Sequence, residues 1–329
     1  MYYFIINPNA KSRMGIKVWR ELKPILINEQ VEFREFITRK PSNAKKIAGK
    51  LSLSEKPVNI VVLGGDGTLH EVVSGIQSVE QVRLGYIPIG SGNDFARGMG
   101  WKVDPVRQLE AILHPLKQDA VDYGCVKADR VEGKFMVSAG IGFDAKICHM
   151  VNHSSAKGMF NRLHLGKLTY LLKGLRTFKG AKVFQAEIEL DDNRKVFVKN
   201  LLFLSIHNMP YEGGGIPFCP KADPRDGKLD VCIVANIPKH KLIYLLMKAL
   251  KGEHIKYRGI HMERCQKIKI QTQTPQYLHM DGEVPGKVQN AEILASPDKL
   301  RMITASSTPH GVENSKKIVK KGKIQRGWQ

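Results

Sequence analysis

Residues 59–76, "NIVVLGGDGTLHEVVSGI", run from an apolar stretch through a glycine-rich turn into an amphipathic stretch. A strand that turns through glycines straight into a helix is the repeating unit of a parallel α/β sheet. Gly64 and Gly65 allow a tight turn that exposes backbone N–H groups. The start of the following helix adds a partial positive charge. That is the make-up of a phosphate cradle, although the GxxxxGK[ST] spacing of a Walker loop is absent. The turn also carries a carboxylate, Asp66. It would repel a polyphosphate unless a cation intervened, so Mg²⁺, reached directly or through water, is its economical partner. The plain alternative is a turn or capping acid.

The flanking sequence fits the same architecture. "YYFIIN", "VEFREFIT", "VNIVVL" and "RLGYIPI" read as strands. Between them, "KVWRELKPIL" carries Trp19, Leu22 and Leu26 at helical spacing, and "PSNAKKIAGKL" opens on Ser42 as an N-cap. Continuous apolar strands alternating with helices predict a sheet covered on both faces. After about Asp122 the texture changes. "FQAEIEL" and "RKVFVKNLLFLSI" form a hairpin around Asp192 and Asn193, and "KLDVCIVANI", "CQKIKIQTQT" and "AEILAS" are further strands. Only two helices interrupt them, near 164–178 and 238–252. The expectation is an α/β domain over residues 1–122 and a mainly antiparallel domain over 123–308, with the last strands able to return to the first domain. A basic tail over 309–329 follows.

The 329 residues hold 52 Lys and Arg against 31 Asp and Glu, a net charge of +21. Such a surplus points to an anionic partner. No basic leader precedes the first strand, and no apolar run approaches the ~18 residues of a membrane span, so a cytoplasmic protein is expected. The five cysteines, odd in number and without CxxC spacing, read as reduced thiols.

A second loop repeats the first. "YIPIGSGNDFARGMG" leads a strand into glycines, then Ser91, Asn93, Asp94 and Arg97. Loops leaving the carboxyl ends of parallel strands meet in one crevice, so both loops can face one ligand, with Asp122 as a third carboxylate nearby. Capping and turn roles for Asp94 and Asp122 are the alternatives.

Taken together, "GGDGTLHEVVSGI", "IPIGSGNDFARG", "NPNAK", "SAGIGFDA", "DGKLDV" and "MDGE" resemble the catalytic domain of the diacylglycerol kinase and sphingosine kinase family, in its soluble bacterial branch. The resemblance spans residues 2–305. GGDGT alone is shared with NAD kinases and phosphofructokinases, whereas the ordered set is specific. Ser91 stands where threonine is usual, and Lys11 where glycine is common.

The resemblance implies ATP between the two domains. Asn7, Pro8, Asn9, Ala10, Lys11 and Thr38 would line the nucleotide. Gly64, Gly65, Asp66, Gly67 and Thr68, with Leu69 and His70 behind them, would hold the phosphates beside Ser91 and Asn93. Asp66, Asp94 and Asp122 would order Mg²⁺ and its waters, and Glu71 would organise the site or serve as an early-helix acid. Asp281, Gly282 and Glu283 form an Asp-Gly turn. The glutamate matches the family's proposed general base, so Glu283 and Asp66 carry the expected catalysis. In "KADPRDGKLDV", Asp226, Asp223 and the Lys228 carbonyl match a structural Mg²⁺ site; on residues alone this is a solvated turn.

Two other features complete the reading. "GIGFDA" fits a dinucleotide GxGxxA, but no acid follows from Ala145 to Ala186, so a Rossmann site is rejected. That acid-free stretch, including "LGKLTYLLKGLRTFKG" with Lys167, Lys173 and Arg176, suits an anionic membrane surface, or else packs as a helix with a solvated basic face. The expected activity is an ATP-dependent lipid kinase visiting the inner leaflet, with diacylglycerol to phosphatidic acid as first choice. A sphingoid base, an isoprenol or a glycolipid stays open. An NAD kinase-like enzyme and a non-catalytic basic protein are the rivals. Nucleic acid is not expected, and a homodimer is left open.

Overall fold

The computed structural model describes residues 1–101, 104–115, 117–153 and 182–304. The first layer set is built from β1 (Tyr2–Ile6), α1 (Ala10–Asn28), β2 (Phe33–Ile37), α2 (Asn43–Ser52), β3 (Val58–Gly64), α3 (Asp66–Gly75), β4 (Val82–Pro88), α4 (Asp94–Gly98), α5 (Pro105–Leu113) and β5 (Lys117–Val121). The second contains β6 (Gly124–Ala128), β7 (Val131–Phe135), β8 (Ser138–Gly142), α6 (Phe143–Asn152), β9 (Phe184–Leu190), β10 (Arg194–His207), β11 (Leu229–Ala235), α7 (Leu242–Ala249), β12 (Ile260–Cys265), β13 (Lys267–Met280) and β14 (Glu283–Ala295). The last strand, β15 (Leu300–Thr304), returns to the first sheet.

The six-stranded sheet has the order β2-β1-β3-β4-β15-β5, parallel except at β5. Alternate residues of its central strands enter two different cores, which explains their unbroken apolar sequence. Ile5, Ile60 and Val62 pack with Ala48 of α2 and Val72 of α3. Phe4, Ile6, Val61 and Leu63 pack with Trp19, Leu22 and Leu26 of α1 and Leu109 of α5. The Asp104 side chain accepts the Val106 and Arg107 N–H groups and so caps α5. Ser42 does not cap α2, contrary to the sequence expectation. It is left-handed (φ 64°), and its side chain makes no cap bond. Glu71 of α3 does the work instead, accepting from Ser42 N (3.0 Å) and Ala44 N (3.2 Å).

The second sheet is antiparallel, ordered β12-β11-β10-β8-β13-β14-β6-β7, with β9 joining β10 to β13. The predicted hairpin forms, Arg194 opposite Leu190, with Asp191 and Asp192 in left-handed conformations. The helix expected near 238–252 is α7, and a strand the sequence reading did not separate, β12, precedes β13. The helix expected near 164–178 and the basic tail lie outside the described residues. All five cysteines are free, three of them buried.

Candidate active site

β3 ends at Gly64 and α3 begins at Asp66, while β4 runs through the second glycine loop into α4. The two loops touch back to back. A Cβ at Gly90 would stand 2.7 Å from the Gly65 Cα, and one at Gly65 3.0 Å from the Gly90 Cα, so any side chain at either position would push the loops apart. Gly67 faces open space, as a cradle requires.

Asp66 bridges the loops. Its carboxylate accepts the backbone N–H groups of Asp94 (3.0 Å) and Phe95 (3.2 Å), so it caps α4 from the neighbouring strand. Of the two roles weighed from the sequence, this geometry shows the capping one; each carboxylate oxygen keeps a lone pair beyond the N–H it accepts. Burial, reinforced by the charge of Asp94, pushes the Asp66 carboxyl up to about 6; the two N–H bonds pull against it. Asp94, also buried, accepts the Gly214 N–H across the domain boundary (2.7 Å). Burial raises its carboxyl too. Its second oxygen is buried without a hydrogen-bond partner. The two carboxylates converge, lying 3.3 and 3.5 Å from where a Gly92 Cβ would stand. The converging oxygens, Asp66 Oδ2 and Asp94 Oδ2, each accept one N–H and keep a lone pair, a donor set that fits Mg²⁺ or its waters arriving with a phosphate chain.

On one side of this pair, Asn7, Asn9, Thr38, Ala44, Thr68 and Glu71 line a cavity of about 230 Å³. Asn7 donates to the Thr68 hydroxyl (2.9 Å), joining the first-strand loop to the glycine turn. Lys11 begins a left-handed run through Arg13 (φ 44°, 58° and 72°), a backbone that glycine adopts at less cost and the reason a glycine suits that position. Ala10 and Leu69 turn into the two cores and not toward the cavity. Asn93 folds back on its own loop, accepting from Gly90 N (2.8 Å) and donating to Gly90 O (3.1 Å). Ser91 is exposed.

The Asp122 carboxylate is engaged by another loop. It is fully buried, accepts the Gly227 N–H (2.6 Å) and pairs with Lys299 (2.8 Å), so it anchors the 223–228 loop. In that loop the Asp226 carboxylate faces Arg264 (3.4 Å), and Asp223 accepts the Arg225 N–H (3.1 Å) with the Arg225 guanidinium at 4.0 Å. Among the described residues no group of three or more His, Cys, Asp or Glu is arranged to hold a metal. As arranged, Asp223 and Asp226 each pair with an arginine.

The DGE turn reaches the glycine loop through His70. Asp281 (φ 48°) and Gly282 (φ 85°) are both left-handed, as a tight hairpin between β13 and β14 requires. The Asp281 carboxylate accepts three successive N–H groups, from Met136, Val137 and Ser138 (2.9, 2.8 and 3.1 Å), and lies 2.9 Å from His70 Nδ1 of α3. Burial opposes charging His70, but the bond to Asp281, with the charges of Asp281 and Glu283, outweighs it and raises its pKa. Glu283 follows, exposed at the start of β14. Asp281→Ala should orphan these buried donors and cost about 3 kcal/mol, read as a lowered denaturation midpoint.

Behind Gly214 lies a polar cluster that sequence reasoning did not find. Buried His207 and His279 flank Glu212: His207 Nε2 lies 3.2 Å and His279 Nε2 3.5 Å from its carboxylate, and Asp144 is 3.4 Å from His279. Burial disfavours both charges, yet the bond to His207, with the charge of His279, lowers Glu212 to about 2, and the bond to Asp144, with the charges of Glu212 and Asp144, raises His279 to about 9. The signal was two histidines closing the apolar strands "LFLSIH" and "YLHM". The first glycine of "GIGFDA" serves this cluster, since a Cβ at Gly140 would stand 2.0 Å from Asp144 Oδ2 and 2.5 Å from His279 Nε2. Asp144 and Glu212 also line a second cavity of about 160 Å³, otherwise mostly apolar, with Phe143, Phe203, Leu242 and Leu245 in its wall.

Comparison with known proteins agrees with this layout. Residues 1–126 match the diacylglycerol kinase catalytic domain, and residues 136–304 match the YegS C-terminal NAD kinase beta sandwich-like domain. The chain is 33% identical to the Bacillus subtilis protein named "Putative lipid kinase YtlR", over 92% of this chain and 99% of that one. It is 29% identical to the Bacillus subtilis diacylglycerol kinase over 69% and 71% of the two chains. Among solved structures, a "putative diacylglycerol kinase" from Bacillus anthracis superposes with TM-score 0.73 at 22% identity, covering 92% and 96%. An Archaeoglobus fulgidus NAD kinase in complex with ATP superposes with TM-score 0.51 at 12% identity, covering 92% and 94%.

Proposed function

This chain belongs to the diacylglycerol kinase catalytic-domain family, and from that premise we propose that it transfers the γ-phosphoryl group of ATP to a lipid hydroxyl, with diacylglycerol as acceptor and phosphatidic acid as product. The observation carrying the reading is the sequence of compartments. Thr68 of the polar cavity lies two residues from Asp66, Asp66 accepts the Asp94 N–H, Asp94 accepts the Gly214 N–H, and Gly214 adjoins Glu212 and Gly213 in the lining of the mostly apolar cavity. A nucleotide suits the first and an acyl chain the last, which brings phosphate and hydroxyl together between them.

The glycine loop and the N-terminus of α3 would hold the phosphates. Mg²⁺ at Asp66 and Asp94 would neutralise charge on the transferring group. Glu283 takes the proton of the lipid hydroxyl as its oxygen bonds to the γ-phosphorus and the bond to the β-phosphate oxygen breaks, releasing ADP. Asp281, held by three N–H groups and His70, fixes the turn from which Glu283 projects. On this reading the protein acts in phospholipid synthesis, at the cytoplasmic face of a membrane. Among the described residues no helix is long and apolar enough to cross one. Most of the basic stretch 145–186 lies outside the described residues.

The test is labelled ATP with a total lipid extract, then with purified diacylglycerol, a sphingoid base and NAD in parallel. Labelled phosphatidic acid from the extract is the expected result. Label only in NAD, or in no lipid, overturns the reading.

A further inference from the structure

Helix α7 is apolar on two sides. Leu242, Leu245, Leu246 and Ala249 line the apolar cavity. On the outer side Ile243, Tyr244 and Met247 are 51%, 51% and 52% exposed, and Leu250, just past the helix, 37%. A helix at a protein surface normally keeps one apolar stripe for the core and shows water a polar one. A second stripe turned outward is the mark of an interaction surface.

What surrounds the stripe says which surface it meets. Between Asn236 and Met262 there are six Lys and Arg residues against one acid, Glu253. Lys248 takes that acid (2.8 Å), leaving Lys241, Lys251, Lys256 and Arg258 exposed around the helix. At the edge, the Tyr244 and Tyr257 hydroxyls meet at 2.8 Å, and tyrosine is enriched where apolar and aqueous phases join. Exposed aliphatic and aromatic side chains on a helix ringed by cations suit the headgroup boundary of an anionic bilayer. A second copy docked symmetrically on the same stripe would bring like charges together.

We propose that α7 is the membrane-docking element of this protein: Ile243, Tyr244, Met247 and Leu250 seat in the interface of an anionic bilayer, while the inner face of the same helix receives the acyl chain of the lipid. The second half rests on the lipid-kinase reading; the first does not.

The experiment is co-sedimentation of the full chain with vesicles of phosphatidylglycerol and phosphatidylcholine, and of phosphatidylcholine alone. Wild type is compared with Ile243→Ser/Met247→Ser and with Lys241→Gln/Lys251→Gln. All four side chains are exposed, and an unchanged melting temperature verifies the fold. The serine pair should weaken binding to the anionic vesicles by about tenfold or more, and the glutamine pair should weaken it by a smaller factor that vanishes at high salt. Equal sedimentation of wild type and the serine variant overturns the proposal. A wild-type dimer that the serine pair dissociates, with no vesicle binding by either, overturns it in favour of a second copy. Vesicle binding lost in the serine variant, with no lipid labelled in the kinase assay, supports the docking surface while overturning the lipid-acceptor reading.

Discussion

Asp66→Asn is expected to reduce phosphoryl transfer to near background. The substitution removes the charge at the point where the two glycine loops meet, and with it the partner a cation on the phosphates would need. It also has a structural cost, through the capping role that the sequence left as the alternative. Both oxygens accept backbone N–H groups at the start of α4. An asparagine must turn its own N–H₂ toward one of those donors, so a loss of about 1–3 kcal/mol of stability should accompany the loss of activity. The two effects separate by temperature: well below the lowered melting point the variant is folded and still inactive. A folded variant retaining most of its activity would refute the assignment. Wild type should show the same group in its pH profile. With the carboxyl pushed up to about 6, kcat/KM should fall on the acid side near that value as Asp66 takes up a proton. Stability has the opposite sign. Because the folded value lies above the ordinary 3.8, the folded state binds the proton more tightly than the unfolded chain does. This contribution is therefore full below about 3.8 and lost as pH rises through about 6.

Glu283→Gln should lower kcat by about 10²–10⁴-fold while leaving ATP binding nearly unchanged, the range a general base typically contributes. The side chain is exposed on the turn at the head of β14, and the turn is held by Asp281, so the amide should fit without disturbing the fold. Equilibrium binding of a non-hydrolysable ATP analogue, set beside kcat with saturating lipid, makes the measurement. A change confined to the KM for ATP would move Glu283 into the nucleotide pocket and remove it from the chemistry.

Local chemistry was enough to read the parallel sheet, the glycine loops, the DGE turn and the hairpin at Asp192. Each depends on residues adjacent in the chain: apolar runs, glycine pairs, and Asp-Gly at a two-residue reversal. The family resemblance came the same way, since its motifs are short and ordered. What needed the tertiary structure was every role that depends on a partner distant in sequence. Asp66 reads as a phosphate-loop acid, yet it also caps α4 because β3 and β4 lie side by side. Asp122 sits at a strand end like the other two acids, but the return of Lys299 beside it turns it toward the 223–228 loop. Ser42 loses its capping role to Glu71 because α2 and α3 pack together. His207, His279 and Asp144 come from three separate elements and Glu212 from the loop after β10, and they meet only when the antiparallel sheet closes around them. A charge network of that kind has no sequence period, because burial and pairing, not spacing, set its energy. The outward stripe of α7 was hidden for the converse reason. Its leucines and isoleucine read as one apolar helix, and only the packed cavity shows which of them the protein had already covered and which it left for another phase.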